Sequence, residues 1–131
     1  MEITTDLIKQ VWAQGNIIEG YPADMIRQDA CGAWIRFDMY GDRRSVFGWE
    51  IDHIYPEKLL QQANVPQKEI DALVNLRPMQ WQNNVAKGDN YPQYKSLIVS
   101  EDKKNKIEGA LREVAAETQE ILHNTFGKYL P

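Results

Sequence analysis

Cysteine is almost absent from this chain of 131 residues: Cys31 stands alone. No internal disulfide can form, and a cysteine-rich zinc site is excluded. Long apolar runs are missing too, since nothing approaches the roughly 20 residues that a membrane helix needs. The opening MEITTDLIKQVWAQG has neither the basic nor the apolar region of a secretory signal. A soluble, cytoplasmic protein without a membrane partner is therefore expected. Glycine- or serine-rich linkers, low-complexity tracts and internal repeats are lacking, so residues 1–131 are expected to form a single domain. A glycine-rich phosphate loop and a nucleophile elbow are also absent, which removes the enzyme classes built on them. Positive charge is scarce: the net charge is −4. Phosphate neutralisation dominates nucleic-acid affinity, so the overall charge lends such binding no support. Its distribution is uneven, however. Arg77, Lys87 and Lys95 outnumber Asp89 in residues 74–98, Arg36, Arg43 and Arg44 gather earlier, and the acidic excess lies at the N-terminus and in residues 50–72.

The residues that are present read as an α+β chain. Thr4, Thr5 and Asp6 offer capping oxygens ahead of LIKQVWAQ, and Gly15 stops that short helix. Ala33 to Phe37 alternates and is rich in β-formers, Tyr40, Gly41 and Asp42 supply turn chemistry, and Val46 to Ile54 reads as a returning strand that Pro56 ends. Two short helical patterns flank Pro66. Asn75 to Pro78 is extended, because proline restricts the residue before it. Met79 to Lys87 fits a short helix closed by Gly88. Leu97 to Val99 reads as a third strand or an apolar loop. Ile107, Ala110, Leu111, Val114, Ala115, Thr118, Ile121 and Leu122 recur at helical spacing, which predicts a core-facing helix over about 103–124.

Four polar residues stand where phosphodiester hydrolysis can use them. Asp52 and His53 fall at a strand end, so their side chains point to opposite faces. A carboxylate is a hard oxygen ligand for Mg²⁺ or Mn²⁺, and an imidazole of pKa near ~6.5 can deprotonate water at neutral pH. Asn84, inside the short helix, offers an amide oxygen that can complete a metal shell beside Asp52. Asn75, just before that helix, can contact an imidazole nitrogen and set its tautomer. Glu50 shares the strand face of Asp52. A solvated strand-end charge is the simpler account of it, as a dipole-compensating cation is of His123 and a small core residue is of Cys31.

The spacing carries more than the composition. Asp52-His53-Ile54-Tyr55-Pro56, then Asn75-Leu76-Arg77-Pro78-Met79, then Asn84 with Lys87, resembles the HNH endonuclease family. Its pattern is an Asp-His-Ile-x-Pro strand end, an Asn-Leu-x-Pro-Leu segment, and a helix with His or Asn three residues before Lys. The resemblance covers residues 26–90. It implies a ββα-metal core, made of a β-hairpin and a short helix, with flanking helices. It further implies His53 as general base, Asn75 as the residue orienting its ring, and Asp52 and Asn84 as ligands of one divalent ion, Mg²⁺ or Mn²⁺. Lys87 and Arg77 become candidate phosphate contacts, as do Arg43 and Arg44 on charge alone. No other cofactor is implied. The activity implied is endonucleolytic hydrolysis of DNA, with RNA left open.

Three departures from that family stand out. Many members hold a structural zinc with two Cys-x-x-Cys pairs, whereas here Gln80 and Asn83 occupy the second pair's places and Gln28 the partner place of Cys31. No structural zinc is expected, and packing by Trp34, Trp49 and Trp81 is expected to replace it. Asn84 stands where histidine is common. The glycine-rich turn after the Asp-His segment gives way to a longer insert, EKLLQQANVPQKEIDALV. Two other readings stay open: a non-catalytic nucleic-acid-binding or protein-interaction module on the same fold, and a toxin or defence nuclease controlled by a regulatory protein partner.

Overall fold

Thr4 starts the first helix: its hydroxyl accepts from the Leu7 N–H at 3.1 Å, and α1 (Thr5–Trp12) buries Val11 and Trp12 at its end. The computed structural model describes residues 1–131, and its α+β architecture distributes the strands over three small antiparallel sheets. β1 (Asn16–Ile17), β2 (Ile26–Gln28) and β3 (Trp34–Arg36) form the first, in that order. β4 (Trp49–His53) is followed by two short helices, α2 (Glu57–Gln62) and α3 (Gln67–Ile70), each opening after a proline. β5 (Leu76–Gln80) then returns alongside β4 and leads directly into α4 (Trp81–Lys87). β6 (Gln93–Glu101) and β7 (Lys104–Glu113) form the third sheet, and α5 (Ala116–Phe126) closes the chain. No helix is long and apolar enough to cross a membrane.

Two expectations about these elements need correcting. The strands at 33–37 and 46–54 exist in shortened form, but they do not make a hairpin with each other. β3 pairs with β2, and β4 pairs with β5 in the register Trp49–Gln80 through His53–Leu76. The twelve intervening residues leave the extended path for a short 3-10 turn at Phe37–Met39 and a close backbone approach before β4. Gly41 has φ +73°, and a Cβ on Gly48 would lie 1.8 Å from the Asp42 carbonyl oxygen. The predicted helix over 103–124 is half strand. Residues 104–113 pair with β6, and only Ala116–Phe126 is helical, burying Leu122 and Phe126. The two-residue turn between β6 and β7 places Asp102 and Lys103 at φ +45° and +65°, both left-handed, which matches the twist of a tight hairpin without any glycine. Ile107 and Leu111, read as core positions, are 73 % and 70 % exposed.

Two apolar clusters hold these pieces. Trp49 is fully buried among Val11, Trp12, Ile35 and Leu76, tying α1 and β3 to the β4–β5 pair. The larger cluster joins Ile54, Leu60, Ile70, Met79, Tyr94, Leu122 and Phe126, so the insert helices and α5 share one core beside the same strands.

At the places where zinc-binding cysteines stand in the resembling family, a buried polar network closes the fold. Asp29 is 1 % exposed, and its carboxylate accepts from the N–H groups of Cys31 and Ala33 at 2.9 Å, of Gln80 at 3.0 Å, and from the Asn83 amide at 3.1 Å. The Gln80 side chain caps α4 through the Asn83 N–H, and Asn83 bonds the backbone of Leu97 and Ile98 on β6. Of the tryptophans expected to replace zinc by packing, Trp34 and Trp49 are buried and Trp81 is half-buried, and Cys31, Gln80 and Asn83, three of the four residues in the cysteine places, are in addition joined through Asp29.

Candidate functional site

Strand alternation divides the Asp52-His53 pair as the sequence predicts. Glu50 and Asp52 face α4, whereas His53 faces the insert that carries α2 and α3. Asp52 is 4 % exposed and lies opposite Arg77 across the β4–β5 ladder. One of its oxygens is 2.8 Å from Arg77 Nε, and the other is 3.1 Å from Lys87 Nζ. Lys87 also donates to the His53 carbonyl oxygen at 3.1 Å, so its ammonium ties the helix end to the strand end. Burial lowers the Lys87 pKa, partly opposed by Asp52, whereas at Arg77 burial is outweighed by Asp52 and Tyr94 together, and the pKa is raised.

These contacts revise the expected phosphate-binding set. Lys87 and Arg77 are both engaged by Asp52, with side chains 1 % and 12 % exposed, so Lys87 has no open face toward a phosphate and Arg77 only a small one. Arg43 and Arg44 do face outward. Arg43 grips Glu50 through two bonds of 2.7 and 3.0 Å and lies over the Trp81 ring, and Arg44 is almost fully exposed.

Asn84 donates its amide to Glu50 at 3.1 Å. Burial raises the Glu50 pKa, but its bonds to Arg43 and Asn84 outweigh this and hold the carboxyl below the usual range. A carboxylate and an amide oxygen are the hard donors that Mg²⁺ or Mn²⁺ takes, so the donor chemistry fits, but Asp52 holds two cations and entry of a dication requires the Lys87 ammonium to yield.

Asn75 acts otherwise than expected. It is fully buried, accepts from the Tyr55 N–H at 2.8 Å, and donates to the carbonyls of Tyr55 and Ile70 at 3.1 Å. It therefore pins the backbone that follows His53 rather than touching the imidazole. The ring's partner is Asp71, whose carboxylate oxygen is 2.8 Å from His53 Nε2. Asp71 and the neighbouring Glu57 come from the insert, and only the replacement of the usual short turn hinted at them. Glu50 as the partner of Asn84 follows from its place on the Asp52 face.

No family model, no curated protein and no solved structure matches the chain.

Proposed function

We propose that this chain is a nuclease of the HNH type, a ββα-metal domain that hydrolyses phosphodiester bonds, with DNA as the substrate class. One observation carries the reading. Asp52 and His53 end the first of two antiparallel strands, and the helix that directly follows the second strand brings Asn84 and Lys87 across the face of Asp52.

In this reading Asp52 and Asn84 hold one divalent ion, which, when bound, polarises the scissile phosphate and stabilises the leaving oxygen. His53 is the general base. Donation from Nε2–H to Asp71 leaves Nδ1 with the lone pair that takes the proton from the attacking water. Asn75 keeps that strand end in place through Tyr55, and Arg43 and Arg44 meet the phosphate backbone. A second reading, a module that binds nucleic acid without cutting it, is favoured by the two cations already on Asp52.

The test is a plasmid-cleavage assay with Mg²⁺, Mn²⁺ or EDTA on wild type, His53→Ala and Asp52→Asn. Cleavage that needs the metal, falls about 10²–10⁴-fold in His53→Ala and disappears in Asp52→Asn is expected. His53→Ala retains Mn²⁺ binding, whereas Asp52→Asn loses it. Equal metal loss in both variants contradicts this division of labour, and no cleavage by wild type with either metal favours the binding module.

A further inference from the structure

We propose that His53, Glu57 and Asp71 form a binding site for a borderline first-row dication, Zn²⁺ or Co²⁺, separate from Asp52 and Asn84, and that filling it silences His53. One ligand atom from each of the three lies within 4.8 Å of the others. They arrive from separate elements: His53 ends β4, Glu57 opens α2, and Asp71 follows α3 directly. His53 Nε2 and an Asp71 oxygen are 2.8 Å apart, close enough for both to reach one ion at about 2.0–2.2 Å. Gln67 gathers the two carboxylates, donating to Glu57 at 2.7 Å and to both Asp71 oxygens at 3.1 Å.

The charge around these groups differs from that on the other face of β4. Asp52 and Glu50 are each paired with an arginine, and Asp52 with Lys87 as well. Neither Glu57 nor Asp71 is bridged to a lysine or arginine, and the Met1 ammonium stands 3.8 Å from Asp71. Two carboxylates side by side repel each other, and a dication removes that repulsion. The His53 and Asp71 side chains are 15 % and 13 % exposed, so the cluster is reachable from solvent. One imidazole with two carboxylates prefers borderline metals to Mg²⁺ or Ca²⁺, and three protein ligands leave positions for water.

A metal on Nε2 takes the lone pair of the neutral ring, so the single ring proton moves through solvent from Nε2 to Nδ1, with no net loss of a proton. Both nitrogens are then occupied, and no imidazole nitrogen is left to accept a proton from water. Binding stands on these three side chains alone, whereas the silencing rests on the nuclease reading.

The test titrates the full chain with Co²⁺, followed by calorimetry and by the visible absorption of the bound ion, in wild type, Glu57→Gln, Asp71→Asn and Asp52→Asn. A first, tighter ion per wild-type chain is expected at this site, ahead of any ion on Asp52 and Asn84, with that tight binding weaker by about tenfold or more in Glu57→Gln and Asp71→Asn and unchanged in Asp52→Asn. Glu57→Gln that is folded by circular dichroism and binds Co²⁺ like wild type overturns the site, as does loss of binding in Asp52→Asn alone. Zn²⁺ added to Mg²⁺-supported cleavage should suppress wild type and spare Glu57→Gln relative to its own Mg²⁺ rate. Cleavage that persists at saturating Zn²⁺ overturns the silencing. Absence of any Mg²⁺- or Mn²⁺-supported cleavage counts against the nuclease reading alone, and the Co²⁺ titration still decides the site.

Discussion

Replacing Asp29 by alanine removes the acceptor of four buried donors at once: the N–H groups of Cys31, Ala33 and Gln80 and the amide of Asn83. A buried donor left without a partner costs about 1–3 kcal/mol, so four give an upper range of about 4–12 kcal/mol. One effect works the other way. Burial raises the Asp29 pKa despite the four donors, so holding its charge inside is itself unfavourable, and the variant is relieved of that. A loss of about 4 kcal/mol is therefore expected, a large part of the 5–15 kcal/mol typical of a domain. With a urea slope of about 2 kcal/mol/M, that moves the unfolding midpoint by roughly 2 M. Asp29→Asn keeps the shape and one carbonyl oxygen but turns an NH₂ group toward two donors, so its midpoint should fall between the others. Chemical denaturation followed by tryptophan fluorescence measures all three. A midpoint shift below about 0.5 M in Asp29→Ala would show that the network does not hold the β2–β3, α4 and β6 segments together.

The other predictions concern the thiol, a loop glycine and the histidine partner. Burial, with the nearby Asp29 charge, pushes the Cys31 thiol up to about 11 from an ordinary value of 9.0. The folded chain then holds that proton more tightly than the unfolded one, so this stabilising contribution is intact below pH 9 and is lost as pH rises toward 11. About 1 kcal/mol should be gone by pH 10, a decline that Cys31→Ala lacks in urea midpoints at pH 8 and 10. Gly48→Ala puts a Cβ 1.8 Å from the Asp42 carbonyl oxygen just before β4, and should cost about 3 kcal/mol or more in thermal or chemical melts; wild-type stability would refute the close approach. Asp71→Ala frees the His53 ring and, under the proposed nuclease function, should lower kcat on the order of 10²-fold with KM and Mn²⁺ affinity at Asp52 unchanged. Nitrogen NMR of the imidazole should show the Nε2–H tautomer in wild type and a mixture in the variant.

The amino-acid sequence by itself determined the features that depend on near neighbours. The Thr4 cap, the stop at Gly88, the breaks at Pro56 and Pro66, and the opposite facing of Asp52 and His53 all follow from backbone geometry within a few residues. Asn84 and Lys87, three residues apart, likewise share one face of a helix. Long-range pairing lay beyond such reasoning. Ile107 and Leu111 are four residues apart, a spacing that puts side chains on one side of a strand as well as of a helix, and only hydrogen bonding to β6 decided between them. Which strand β4 would choose depended on β5, more than twenty residues further on. Lys87 and Arg77 read as free cations until the fold buried them on Asp52. Asp71 was marked only by lying in the unusual insert, until the insert helices carried it to within 2.8 Å of the His53 ring. Charges and hydrogen-bonding groups were legible as residue types. Their partners were set by tertiary packing, because a buried charge must find an opposite one wherever the chain brings it.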